Sequence, residues 1–171
     1  MRRLAVAFTV IAAAIPGALA QEAPPKDIIG KKAPDFTLES VEGEPLKLSS
    51  LAGRVVVLDF WAVWCGPCTE SMPFFQALQD RYGKDGLEIV GLHVDDRMPP
   101  TPDVKDFLEE IGVTYRNVIS TTDVDNAYLV YAMPTTYILD RRGVVRKRHV
   151  GFNPKTAPDR IENDVKALLS R

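Results

Sequence analysis

Hydrophobic and polar positions follow two periods along the chain, which predicts a domain that alternates strands and helices. Val55 to Trp61 is an almost unbroken apolar run of β-branched and aromatic residues, the pattern of a strand buried on both faces of a sheet. We predict this run to be the central strand. Leu87 to Val94 is a second run of the same kind. Shorter strands are predicted at residues 115–119, 135–139 and 144–150.

Helical periodicity separates these strands. Cys65 to Tyr82 is predicted to be a helix, and Asp103 to Ile111 carries apolar residues at the i, i+3, i+4 and i+7 positions of another. A last helix has one apolar stripe, formed by Ile161, Val165, Leu168 and Leu169. Near the start, Phe36 to Leu38 and Leu46 to Leu48 alternate around a Glu-Gly-Glu-Pro turn, which indicates a hairpin. This order of elements predicts an α/β sandwich with a mixed sheet.

Residues 1–20 have the pattern of a secretory signal peptide. Met1-Arg2-Arg3 is positively charged, Leu4 to Ile15 is apolar, and Ala18-Leu19-Ala20 matches a cleavage site. The rest of the chain is predicted to divide into a tether at 21–29 and a domain at 30–171. We expect export to the periplasm or an equivalent extracytoplasmic space. An uncleaved membrane anchor is the alternative, because the apolar stretch approaches the roughly 20 residues of a spanning helix.

Composition indicates one soluble domain without a polyanionic partner. The 171 residues are 46% hydrophobic and 26% charged, which is the profile of a globular chain. The 21 basic and 23 acidic residues give a net charge of −2, which does not favour nucleic acid as a partner. The two cysteines can form one disulfide, and a domain of this length folds without such a cross-link. If they pair, the pairing points to function.

The chemistry of the chain is concentrated in Trp64-Cys65-Gly66-Pro67-Cys68. A Cys-x-x-Cys motif that follows a buried strand and opens a helix places its first cysteine at the helix N-terminus, where free N–H groups and the helix dipole favour a thiolate. Cys65 is therefore the predicted nucleophile. Cys68 lies on the same helical face and is the predicted resolving thiol, which attacks a mixed disulfide on Cys65. Gly66 keeps the surface beside Cys65 small, and Pro67 suits a first helical turn, where its missing N–H costs little.

Two structural roles for the cysteine pair are the alternatives. Half of a zinc site would need further ligands, yet His93 and His149 show no ligand spacing to the motif or to each other. A purely structural disulfide would explain neither Trp64 nor the apolar strand that precedes the motif. The motif implies no metal or organic cofactor.

Several segments resemble a known family. Residues 57–62 followed by 64–68 are similar to the active-site strand and helix of the thioredoxin superfamily. Residues 30–38 and 133–143 are similar to the TlpA/ResA-like branch of exported thiol-disulfide oxidoreductases. The resemblance implies a thioredoxin-like three-layer sandwich with a central mixed sheet, to which the N-terminal β-hairpin is added.

The resemblance also implies roles for single residues. Pro134 falls where the family has a cis-proline, which lets the Met133 backbone pair with an extended substrate segment, and a trans-proline at a strand start is the alternative. Asp59 stands six residues before Cys65, where thioredoxins hold a buried acid that relays a proton for the resolving thiol. The alternative is a strand-end Asp59 that reaches water. Gly91 stands where thioredoxins place a lysine near that acid, which leaves a relay through water open.

These features predict an exported protein-disulfide reductase. Its predicted catalytic residues are Cys65, Cys68 and Asp59. Its predicted substrate-binding residues are Trp64, Gly66, Pro67, Met133 and Pro134. The expected partners are exported proteins with cysteine pairs, apocytochromes in cytochrome c maturation among them, and a membrane thiol-electron transporter as reductant. The chain is expected to be a monomer.

Other activities are the alternatives. Disulfide oxidation or isomerisation would use the same dithiol. A peroxiredoxin would need a threonine three residues and a proline seven residues before its reactive cysteine, and Cys65 has Ala62 and Leu58 there. A binding module or chaperone for unfolded exported chains would use the apolar surface around Trp64 without needing the thiol.

Overall fold

The computed structural model describes residues 27–94 and 104–171. Its strands are β1 (Thr37–Leu38), β2 (Leu46–Lys47), β3 (Val55–Trp61), β4 (Leu87–His93), β5 (Arg116–Ile119), β6 (Thr135–Leu139) and β7 (Val145–Val150). Its α-helices are α1 (Gly66–Tyr82), α2 (Val104–Glu110), α3 (Thr122–Ala127) and α4 (Ala157–Leu169). The sequence pattern predicts all of these elements except α3.

β3 lies at the centre of a five-stranded mixed sheet, as predicted. The strand order is β5-β4-β3-β6-β7, and β1 and β2 form a separate antiparallel hairpin. β3 is parallel to β4 and antiparallel to β6, and α1 makes the crossover that the parallel pair requires. All residues of β3 are buried, so an apolar side chain is expected at each position. Asp59 is the one polar residue in this strand.

One face of the sheet is covered by helices, and we call it the helix face. Val57 and Trp61 of β3 pack there in one apolar cluster with Phe75 of α1 and Val165 of α4. The same cluster contains Leu108 of α2. Because side chains of a strand alternate between faces, Asp59 also points to the helix face.

The opposite face is covered by the N-terminal hairpin, and we call it the hairpin face. Leu58 and Phe60 of β3 pack there with Leu38 of β1, Leu46 of β2 and Tyr128, which follows α3. The sheet therefore separates two layers. The predicted three-layer sandwich with a mixed sheet and an added N-terminal hairpin is confirmed.

α3 is the element that the sequence pattern did not predict. It has six residues, Thr-Asp-Val-Asp-Asn-Ala, and none of them is buried, so it presents no apolar stripe to detect. Its start is set by Thr121, whose side-chain oxygen accepts a hydrogen bond from the Val124 N–H at 3.4 Å. A capping residue without periodicity is too weak a signal to predict a helix.

One residue of the predicted tether contributes to the core. Ile28 is 3% exposed and packs with the core of the hairpin face. The predicted signal peptide and Asp103, the first residue of the predicted second helix, lie outside the described residues. Within 27–94 and 104–171, no helix is long and apolar enough to cross a membrane.

Candidate active site

Cys65 and Cys68 form a disulfide at the start of α1. Their Cα atoms are 5.2 Å apart. After β3 the chain makes a tight turn, in which the Cys65 N–H donates to the Ala62 carbonyl at 3.0 Å. Cys65 is the N-cap of α1, and its carbonyl accepts hydrogen bonds from the N–H groups of Cys68 and Thr69 at 3.0 and 3.1 Å. The turn therefore fixes Cys65 at the helix N-terminus, as the motif predicts.

The two sulfurs differ in access. Cys65 is 6% exposed, whereas Cys68 is fully buried in the cluster of the helix face. Trp64, 39% exposed, precedes the pair, and Gly66 and Pro67 are exposed between the two cysteines. A Cβ atom added at Gly66 would meet nothing within 4 Å, so the surface beside Cys65 is open. A partner can approach Cys65 but not Cys68.

Met133 and Pro134 form the second part of the site. The peptide bond between them is cis, which matches the prediction from the resemblance. Pro134 is buried and Met133 is half-buried against the cluster that contains both cysteines. Among the described residues, the Met133 backbone makes no hydrogen bond to another backbone group. An open groove of about 500 Å³ is lined by Trp64, Tyr131 and Met133, so the structure brings two predicted substrate-binding residues to one groove.

Asp59 is fully buried, and the alternative of a strand-end residue that reaches water is wrong. The Thr136 hydroxyl donates to its Oδ1 atom at 2.9 Å, while Oδ2 has no hydrogen-bond partner among the described residues. Desolvation raises the pKa of Asp59 to about 7, and the hydrogen bond from Thr136 opposes this rise. A carboxyl group with such a pKa can both accept and release a proton near neutral pH.

A row of paired residues crosses the sheet at Asp59. Asp59 is opposite Gly91 on β4 and Thr136 on β6, and Gly91 is opposite Asn117 on β5. Asn117 fills the space over Gly91 and accepts a hydrogen bond from the Trp61 indole N–H at 2.9 Å. A Cβ atom at Gly91 would lie 2.0 Å from the Asn117 Oδ1 atom. No side chain fits at residue 91, so a lysine beside the acid is excluded here by sterics.

Sequence reasoning missed Thr136 and Asn117. Thr136 follows Pro134 by two residues, but only the antiparallel register of β3 and β6 brings it to Asp59. Asn117 follows Arg116 in β5, whose sequence is Arg-Asn-Val-Ile, so no apolar run marks it, and its burial is visible only in the structure. Strand pairing brings both residues to this row of the sheet, and a local sequence pattern does not show which strands pair.

Comparison with known proteins agrees with this geometry. Residues 28–169 match the redoxin family. The chain belongs to the redoxin family. This redoxin is 40% identical over 128 residues to the thiol-disulfide oxidoreductase ResA of Geobacillus thermodenitrificans, covering 74% of this chain and 72% of that protein. It is 37% identical over 126 residues to the thioredoxin-like protein YneN of Bacillus subtilis, covering 74% of each chain.

Solved structures show the same fold. A putative thiol:disulfide interchange protein DsbE from Chlorobium tepidum superposes with a TM-score of 0.75 at 36% identity, covering 82% of this redoxin and 97% of that chain. A putative protein disulfide isomerase from Bacteroides thetaiotaomicron superposes with a TM-score of 0.73 at 27% identity, covering 84% and 91%. The predicted resemblance and the prediction of a thiol-disulfide oxidoreductase are confirmed.

Proposed function

We propose that this redoxin reduces disulfides in other exported proteins, with Cys65 as nucleophile and Cys68 as resolving thiol. The observation that carries the proposal is the unequal access of two bonded sulfurs at a helix N-terminus. The helix start favours the thiolate of Cys65 in the reduced protein, and the burial of Cys68 keeps client proteins from attacking the second sulfur. This asymmetry gives the two thiols distinct roles.

The reaction consists of two exchanges. In the first, the Cys65 thiolate attacks one sulfur of a client disulfide, forms a mixed disulfide and releases the other client sulfur as a thiolate. In the second, the Cys68 thiolate attacks the Cys65 sulfur and releases the second client thiolate. Two electrons pass to the client, which gains two thiols, and the redoxin is left with the Cys65–Cys68 disulfide.

Asp59 would accept the proton that Cys68 loses before the second exchange. Cys68 is buried in the cluster on the helix face, where a thiol cannot pass its proton directly to bulk water. Asp59 points to the same face, and its pKa of about 7 suits a proton acceptor at neutral pH. This proposal assigns catalytic roles to all three predicted residues.

The client would bind as an extended segment beside Cys65. The Met133 backbone, next to cis-Pro134, has an N–H and a C=O available for pairing with such a segment. Trp64 and Met133 line the groove in which neighbouring client side chains would lie. Gly66 leaves room for the client sulfur, and Pro67 is exposed next to it. These contacts need only backbone and apolar groups, so they suit many clients.

The reductive direction and the cellular setting complete the proposal. The Gly-Pro spacer between the cysteines resembles that of thioredoxin, which favours reduction. A reductase outside the cytoplasm needs electrons from inside, so the partner upstream would be a membrane thiol-electron transporter. Clients would include exported proteins with cysteine pairs, apocytochromes in cytochrome c maturation among them, and the redoxin would act as a monomer.

Equilibration of the purified redoxin with a glutathione buffer tests the direction. A reductase should have a reduction potential below about −180 mV, whereas a potential near the −120 mV of a strong oxidase would reverse the assignment. Trapping with Cys68→Ser tests the function itself, because mixed disulfides on Cys65 should accumulate. Cys65→Ser is the matched control, and capture of chains by this control would favour a binding module.

A further inference from the structure

Tyr131 is an exposed aromatic residue that the proposed mechanism does not use. Its side chain is 78% exposed, and it lines the open groove of about 500 Å³ together with Met133 and with Trp64, the residue before Cys65. Single exposed apolar residues are common at protein surfaces and need no explanation. The position of Tyr131 therefore has to be considered together with its neighbours.

The exposed aromatic residues of the described chain meet at this groove. Among its exposed large hydrophobic residues, Trp64 and Tyr131 are the aromatic ones, and both line the groove. Ile29, Ile119 and Val150 are the aliphatic ones, and they lie outside it. Aromatic residues around a concave surface are typical of binding sites, because they bury a large area when a partner binds.

The segment that carries Tyr131 is fixed by hydrogen bonds to its backbone. The Arg148 guanidinium of β7 donates to the Leu129 carbonyl at 2.9 Å, and the Tyr137 hydroxyl of β6 donates to the Tyr128 carbonyl. Leu129 has a φ of 54°, a left-handed conformation that is uncommon for a residue with a side chain, and it is buried. Such a conformation persists only where the surrounding contacts determine it. The segment therefore holds Tyr131 in place before a partner binds, which lowers the entropic cost of binding.

The location and charge of the groove indicate which partner occupies it. The groove includes Met133, whose backbone is proposed to pair with an extended client segment, so the occupant is the client chain next to its reactive cysteine. Asp125 is the charged residue among the described residues that line the groove, and the others are apolar or uncharged. An acidic client residue would meet a like charge there, whereas an apolar residue would meet the aromatic rings.

We propose that Tyr131 is a specificity-determining residue, which together with Trp64 binds an aromatic side chain of the client next to the client cysteine. This inference rests on the proposed reduction of client disulfides and names the client feature that the site prefers. Contacts between aromatic rings stabilise a complex beyond the burial of apolar area, so an aromatic client residue gains more than a small aliphatic one. Asp125 would disfavour an acidic residue at the same place.

The test compares three model peptides with the same disulfide, in which both residues that flank one cysteine are phenylalanine, alanine or glutamate. The wild type should reduce the phenylalanine peptide with a kcat/KM about tenfold higher than that for the alanine peptide, and the glutamate peptide should be reduced most slowly. Tyr131→Ala should lose most of the preference for phenylalanine. Tyr131→Phe should keep it, because the ring rather than the hydroxyl makes the contact.

Ile29→Ala is the matched control, because Ile29 is 45% exposed and lies outside the groove. It should leave all three rates unchanged. Reduction of bis(2-hydroxyethyl) disulfide, which has no side chain to place in the groove, should be equal in all variants. A preference for phenylalanine that survives in Tyr131→Ala would overturn the inference, as would an equal loss in Ile29→Ala or a slower reduction of the small disulfide in Tyr131→Ala.

A second measurement separates this inference from the proposed function. Peptides in which serine replaces both cysteines cannot exchange disulfides, and calorimetry measures their binding to the oxidised protein. The phenylalanine peptide should bind the wild type about tenfold more tightly than it binds Tyr131→Ala. Equal affinities would overturn the inference even if the peptides with cysteines are reduced. If none of those peptides is reduced, the reductase proposal fails, whereas the difference in binding still tests Tyr131.

Discussion

The hydroxyls of the buried tyrosines differ in hydrogen bonding between the two faces of the sheet. On the hairpin face, the Tyr128 hydroxyl donates to the Pro34 carbonyl and the Tyr137 hydroxyl donates to the Tyr128 carbonyl. On the helix face, the Tyr115 hydroxyl and one oxygen of Asp59 are buried with no partner among the described residues. Both faces are closely packed, but among the buried tyrosines of the described residues, those with a paired hydroxyl lie on the hairpin face.

The hairpin face contributes packing that stabilises the fold, whereas the helix face holds the groups proposed to take part in the reaction. Phe60, Tyr128 and Tyr137 form an aromatic group on the hairpin face with ring centroids 5.3 to 6.2 Å apart, which stabilises the fold without charge. The helix face, which also holds the cysteines, instead buries a carboxyl group at a cost in stability. Such a cost is expected where a reaction needs a shifted pKa. Substitutions on the two faces should therefore separate folding from redox function.

The largest effect on stability is expected for Leu92→Ala on the hairpin face. Leu92 is fully buried there, and the cavity left by the substitution should cost about 2–5 kcal/mol of unfolding free energy. The reduction potential should stay at its wild-type value, because the cysteines lie on the other side of the sheet. Urea unfolding and equilibration with glutathione measure the two quantities. A shifted potential would mean that the two faces are coupled.

Asp59→Asn should have the opposite effect on stability. The folded pKa of Asp59, about 7, is above its ordinary value of 3.8, so between these values the folded protein holds a proton that the unfolded chain has released. The wild type should therefore lose stability as pH rises through this range and level off above it. The variant should lack this slope and be more stable above pH 7 by about a few kcal/mol. Urea unfolding from pH 4 to pH 8 measures the free energy of unfolding of both proteins. An equal dependence on pH in the two would contradict a raised pKa of Asp59 in the folded state.

The same variant should be slower in turnover. Without a proton acceptor, Cys68 would resolve the mixed disulfide about 100-fold more slowly, at the lower end for general acid–base catalysis. Stopped-flow reduction of a model disulfide separates resolution from the first attack. Asp123→Asn, an exposed residue of α3, is the control and should be unaffected. Full turnover in Asp59→Asn would remove Asp59 from the mechanism.

A smaller effect is expected for alkylation of the reduced protein. Cys65, at the helix N-terminus, should have a pKa in the range of about 3.5 to 7.5 and react with iodoacetamide at least about tenfold faster than Cys68. Mass spectrometry after brief labelling at pH 7 identifies the modified residue. Preferential labelling of Cys68 would exchange the two proposed roles.

The smallest effect is expected for two adjacent threonines. Thr136→Val removes the hydrogen bond to Asp59 and should raise the pKa of that acid by up to about one pH unit. Thr135 is equally buried, but it is opposite Phe60 in the sheet and donates to the Ala132 carbonyl at 2.7 Å. Thr135→Val should leave the pKa of Asp59 unchanged. Equal changes in both variants would mean that the pKa of Asp59 does not depend on which threonine is hydrogen-bonded to it.

The sequence by itself determined every strand and α-helix named above except α3, and it identified the cysteine pair. The apolar run of β3 identified the central strand, because a strand buried on both faces needs apolar residues at every position. The Cys-x-x-Cys motif after that strand identified a cysteine pair at a helix start, because the chain turns from the end of β3 directly into α1. These are local properties, and local patterns report them.

The tertiary structure alone decided what surrounds Asp59. Thr136 lies 77 residues further along the chain and is brought to Asp59 only by the register of β3 and β6. Asn117 comes from β5, and its side chain lies over β4 because Gly91 on that strand has no side chain. The physical reason is that strand register joins residues of distant segments, and a shift of one residue would turn each of them to the other face. The cysteine pair could therefore be identified from sequence, whereas the contacts of Asp59 required the assembled sheet.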